Sequence, residues 1–76
     1  MNGHWEFQTR LGTFRIVPRD DGRFDLAFEG EGLGGYYSPE QALEDLIGGS
    51  CFWPSIGNPA KLDIPDDLSK WMFVRH

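Results

Sequence analysis

The stretch from Tyr37 to Gly49, YSPEQALEDLIGG, reads as a helix with both ends written into the sequence. Ser38 can cap the first turn through its hydroxyl, Pro39 suits the first helical position because its missing N–H would find no partner there, and Gln41 completes a Ser-x-x-Gln capping box. Ala42, Leu43, Leu46 and Ile47 form one apolar stripe, with Glu40, Glu44 and Asp45 away from it. Gly48-Gly49 then supplies a left-handed stop. Such a stripe must be buried against something, and the rest of the chain has to provide it.

The pattern elsewhere predicts a small antiparallel sheet. His4 to Thr9 alternates apolar and polar residues with Trp5 and Phe7 inward, Thr13 to Pro18 puts Phe14 and Ile16 inward, and Arg23 to Glu29 puts Phe24, Leu26 and Phe28 inward. Leu11-Gly12 makes the first turn, with loops of two or four residues both compatible. Opposed residues of an antiparallel pair share a face, so Phe14 must meet Phe28, Ile16 must meet Leu26 and Pro18 must meet Phe24. That register leaves Asp20-Asp21-Gly22 as a type I turn closed by a glycine bulge, with Gly22 at positive φ. Arg19 and Arg23 then face each other, relieved by Asp20 and Asp21.

Gly30-Glu31-Gly32 reads as a second reversal, followed by a short fourth strand ending at Tyr37. Its glycines also allow a mobile loop or close approach of a ligand, but they lack phosphate-loop spacing and the following helix begins with acids. Ser50 to Pro65 has three prolines and no regular period, yet Phe52, Trp53, Ile56, Leu62 and Ile64 argue against disorder. It is expected to wrap the helix or a sheet edge and plug the core; the other reading is a presented aromatic with Trp53-Pro54 at its tip. Asp66 to Lys70 looks like one helical turn, and Trp71 to Val74 like a terminal strand on a sheet edge. The expected fold is α+β in a single domain, residues 1–76: three to four meander strands plus a C-terminal strand, with one helix on one face.

Composition narrows the function classes. A chain of 76 residues buries only about 60% of the surface its unfolded form exposes, so the eleven aromatic residues are its main apolar resource. The single cysteine, Cys51, rules out an internal disulfide. No stretch is apolar enough to span a bilayer and MNGHWEFQTR lacks a signal-peptide core, so a soluble cytoplasmic protein is the expectation. The net charge of −5 is uneven. Residues 30–68 carry seven acids against Lys61 alone, while residues 69–76 carry only Lys70 and Arg75. Such a middle repels phosphate, which disfavours nucleic acid and favours a basic protein surface.

Taken together, GTFRIVPRDDGRFDLAFEGEGLGGYYSPEQALEDLIGG resembles a group of short, uncharacterised bacterial proteins. The shared frame is a strand with a proline, a DGR-type turn, an apolar strand, a Gly-Tyr-x-Ser-Pro helix start, an Ala-x-x-Asp-Leu helix and a Gly-Gly stop. The likeness covers about Thr13 to Gly49, with a looser echo from Ile64 to Trp71, and it implies a fold without an activity. The order of three strands then a helix is also similar to AP2-type DNA-binding domains. Here the outward residues Arg15 and Arg23 stand among Glu6, Asp25 and Glu29, which gives no basic stripe.

Little in the chain points to catalysis. His4 and His76 lie near opposite ends, where termini fray, and Cys51 has no histidine in its own neighbourhood, so an idle or buried thiol is expected. Two histidines and one cysteine show no metal-ligand spacing, and no cofactor is implied. The acid pairs Asp20-Asp21, Glu44-Asp45 and Asp66-Asp67 are explained by turns, capping and solubility, and a domain this small is not expected to hold a pocket of several hundred cubic ångströms. The expectation is a small, acidic, non-enzymatic interaction module that binds another protein or itself, with neither nucleic acid nor membrane as partner. Trp53, Phe52, Arg15, Arg23, Glu40 and Glu44 are its candidate contact residues. The alternative is a regulator whose acidic helix face occupies a basic groove or imitates nucleic acid.

Overall fold

Phe14 and Ile16, both fully buried, mark the centre of a five-stranded antiparallel sheet. The computed structural model describes residues 3–76. The strands are β1 (Gly3–Thr9), β2 (Gly12–Pro18), β3 (Phe24–Phe28), β4 (Glu31–Tyr36) and β5 (Met72–Arg75), in the order β4-β3-β2-β1-β5. One helix, α1 (Pro39–Gly48), lies on the inner face, over β3 and β4. The fold is α+β, as the sequence pattern requires.

The central hairpin has the register that the alternation demands. Phe14 faces Phe28, Ile16 faces Leu26 and Pro18 faces Phe24. At its end Gly22 donates its N–H to the Arg19 carbonyl at 3.2 Å and adopts φ 84°, while the Arg19 N–H reaches back to the Arg23 carbonyl at 2.7 Å. This is the expected turn with a glycine bulge. The first hairpin closes with two loop residues, Arg10 and Leu11, between the paired Thr9 and Gly12.

Two details of the second half differ from expectation. The reversal into β4 is Glu29-Gly30, at φ 50° and 97°, so Glu31 already belongs to the strand and β4 ends at Tyr36. Strict alternation would also send Leu33 and Tyr36, three residues apart, to opposite faces. Both are buried, because Leu26 pairs with Gly34 while Ala27 pairs with Gly32, leaving Leu33 as the extra residue of a β-bulge. The bulge turns Leu33 into the core.

The helix ends behave as written, with one variation. The Ser38 hydroxyl accepts from the Gln41 N–H at 3.1 Å, but the Gln41 side chain accepts from the N–H of Tyr37 at 3.0 Å, one residue before the cap. At the other end Gly49, at φ 73°, donates to Leu46, and Ser50 donates to Asp45. These two bonds form a Schellman closure. Ala42, Leu43 and Leu46 are buried against the sheet and Ile47 is partly so. Each fully buried leucine contributes about 1.5–3 kcal/mol.

The half of the inner face that α1 leaves open is covered by the segment after it. Pro59 is fully buried at the start of a 3-10 turn (Pro59–Lys61), and Leu62, Ile64 and Leu68 pack on the core. Trp71 is buried just before β5, its ring 5.7 Å from that of Phe7. The terminal strand pairs antiparallel with β1, Trp5 opposite Phe73.

Candidate functional site

The loop between α1 and the 3-10 turn carries three exposed large apolar side chains. Cys51 and Pro54 point inward and are buried, whereas Phe52 is 77% exposed, Trp53 58% and Ile56 38%. Burial of large apolar side chains is the main stabilising resource of a chain this size, so three left outside within five positions, two of them aromatic, stand out.

Their backbone is held in place. Phe52 donates its N–H to the carbonyl of Leu33 at 2.9 Å, which closes the outer edge of β4 at the bulge. Ser55 donates its N–H and its hydroxyl to the Glu31 carboxylate on the same strand. The Trp53 indole N–H donates to the Gly49 carbonyl at 3.0 Å, so the polar edge of the ring is tied to the helix stop while its face remains in solvent. Phe52 also flanks a shallow cleft of about 450 Å³ over Ala27, Gly32 and Gly34.

A second surface is concave and acidic. Glu40, Leu43, Glu44 and Ile47 of α1 face Asp66, Asp67 and Leu68 across an open groove of about 600 Å³. The volume is larger than expected for so small a domain, because the groove lies between two elements on the surface and is not enclosed. It also changes the reading of the acid pairs: Glu44 and Asp66-Asp67, far apart in sequence, converge. Asp67 caps the 3-10 turn Leu68–Lys70 by accepting from the Ser69 N–H at 2.9 Å, and that bond, with Lys70 nearby, holds its carboxyl below the usual range. Asp45 leaves the acidic face: it lies beside Tyr36, whose hydroxyl is pushed up to about 12 by burial and then by this carboxylate.

The two arginines proposed for contact are separated. Arg15, on the open face of the sheet, lies 3.6 Å from Glu6. Arg23 precedes β3 and stacks on Tyr37, its guanidinium 4.8 Å from the ring centroid and bonded to the hydroxyl at 3.2 Å. The expected relief of Arg19 and Arg23 by their loop is therefore partial: Arg19 takes Asp21 at 3.0 Å and Asp25 at 3.5 Å, and Arg23 turns to the tyrosine.

The histidines meet, contrary to expectation. Pairing of β5 with β1 brings His76 Nε2 to 2.6 Å from His4 Nδ1, and His4 Nε2 lies 2.8 Å from Glu6. The Glu6 carboxylate only accepts, so the His4 Nε2–H donates to it, and in that neutral tautomer His4 Nδ1 is the acceptor for the His76 Nε2–H. The contact follows from the antiparallel partnership of the first and last strands, which the sequence left open and which places both histidines at one corner. This row lies on the open face of the sheet, outside the acidic groove and the clefts at Phe52 and at Phe7–Arg10. Cys51 stays in the core, where burial pushes its thiol up and weakens it as a nucleophile. Among the described residues no group of three or more His, Cys, Asp or Glu is placed to hold a metal ion, and no helix is long and apolar enough to cross a membrane. Comparison with known protein families, curated proteins and solved structures returned no match.

Proposed function

We propose that this chain is a small non-enzymatic module that recognises another protein, or a second copy of itself, through the loop from Phe52 to Ile56. One observation carries the reading: Phe52 and Trp53 are neighbours in solvent at 77% and 58% exposure, the Phe52 N–H bonded to the sheet edge and the Trp53 indole N–H bonded to the helix stop. A ring presented on a fixed backbone loses little further freedom on binding, so more of its buried area appears as affinity. Tryptophan is among the residues that dominate interface energetics. The charge supports a protein surface over a phosphate backbone: Arg15, Arg19 and Arg23 each have a carboxylate or tyrosine partner, and the chain carries −5 overall.

The test is a photo-crosslinking residue at position 52, followed by affinity measurement on the purified partner or on the self-associated species. Phe52→Ala and Trp53→Ala are expected to weaken binding about tenfold or more with an unchanged circular dichroism spectrum. Unchanged affinity in both variants, or a strictly monomeric protein that crosslinks to nothing, contradicts the proposal.

A further inference from the structure

The groove between α1 and the Asp66–Leu68 turn has no part in the aromatic loop, and its chemistry is specific. Its floor is apolar, from Leu43, Ile47 and Leu68, and its walls are four carboxylates, Glu40 and Glu44 on one side and Asp66 and Asp67 on the other. Among the described residues none of the four forms an ion pair, and no cation lines the groove; Lys70 acts on Asp67 only from a distance. Four carboxylates without an ion-pair partner give the groove a negative potential, which a basic occupant would complement.

We infer that this groove docks a basic amphipathic helical segment of a partner protein. Glu40 and Glu44 are one helical turn apart, as are Leu43 and Ile47. A helix lying along α1 would therefore set apolar side chains at i and i+4 on the Leu43–Ile47–Leu68 floor, with Lys or Arg at the same spacing against the glutamates. Asp66 and Asp67 meet the opposite flank of the same segment. The volume of about 600 Å³ accommodates a few side chains of such a segment. Charge sign selects the partner and the apolar floor selects its register, so neither a polylysine stretch nor a neutral amphipathic helix satisfies both.

The probe is a synthetic 14-residue helical peptide with leucines along one face and lysines flanking them. Two peptides serve as controls, one with the same residues scrambled and one with glutamate in place of lysine. Binding to the intact chain is read by fluorescence anisotropy and by amide chemical-shift mapping. The patterned peptide should bind, shift residues 40–47 and 66–68, and lose affinity as salt rises. The Glu40→Lys/Glu44→Lys variant should weaken it about tenfold, and Asp66→Lys, which lies outside the helix and leaves its caps intact, about threefold. Phe52→Ala and Trp53→Ala should leave this affinity unchanged, which separates failure of the groove from failure of the loop. Equal binding of the scrambled peptide, shifts confined to other surfaces, or indifference to both charge reversals would overturn the inference.

Discussion

The N–H of Phe52 lies 2.9 Å from the carbonyl of Leu33, so the most exposed large apolar side chain among the described residues is carried by a residue bonded into the edge of the sheet. Leu33 is the extra residue of the β4 bulge. The same irregularity that turns its side chain into the core thus offers its carbonyl to the loop. The arrangement separates exposure from mobility, and stability measurements should reflect it.

Truncating the exposed rings should cost little. Phe52→Ala and Trp53→Ala are expected to lower unfolding free energy by no more than about 1 kcal/mol, whereas Leu46→Ala, at a fully buried site, should cost about 2–5 kcal/mol. Urea denaturation of the three variants gives the comparison directly.

At the helix stop, an alanine in place of Gly49 would need a left-handed φ of 73° and would bring its Cβ to 2.8 Å from the Asn58 side-chain oxygen. Gly49→Ala should destabilise by about 1–3 kcal/mol. Asn58→Ala alone removes the acceptor of the Ala60 N–H, so the comparison is a double-mutant cycle in urea: the coupling between the two substitutions gives the steric share, and the cost of Gly49→Ala that persists in the Asn58→Ala background gives the backbone strain.

The helix start makes a smaller but definite contribution. Ser38→Ala removes the acceptor of the Gln41 N–H and is expected to cost about 0.5–2 kcal/mol. Gln41→Ala removes the bond to the Tyr37 N–H at a solvent-exposed end and should cost less. Thermal unfolding ranks the pair.

Tyr36 gives a signature at alkaline pH. Its hydroxyl is raised from 10.0 to about 12 in the folded chain, so between these values the folded state holds a proton that the unfolded state has lost. Its contribution is complete below pH 10.0 and disappears as pH rises toward about 12. Melting temperature should therefore fall across that window more steeply in the parent than in Tyr36→Phe, which has no such proton.

The sequence carried the local geometry and left most of the long-range meetings open. The Phe14–Phe28 register, the glycine-closed turn at Gly22 and both caps of α1 were legible because each is decided within a few residues by sterics or by alternation. The bulge at Leu33 was not, since alternation alone places a leucine and a tyrosine three apart on opposite faces, and only competition for the core reverses that. The partner of β5 was also open, and with it went the contact of His4 with His76 and the convergence of Glu44 with Asp66 and Asp67. Of the candidate contact residues, Phe52 and Trp53 share one loop, Glu40 and Glu44 line the groove, and Arg15 and Arg23 belong to neither. Spacing along the chain carries no information about which distant acids face each other once a proline-rich segment folds back.

The most direct measurement is amide hydrogen exchange with ¹⁵N relaxation at Phe52, Trp53 and Ser55, the residues that carry or flank the presented rings. A loop fixed to the sheet predicts a protected Phe52 amide and order parameters near those of rigid backbone, about 0.85, throughout 52–55. Exchange of Phe52 at the rate of an unprotected chain, with order parameters below about 0.6, would contradict a preformed aromatic surface.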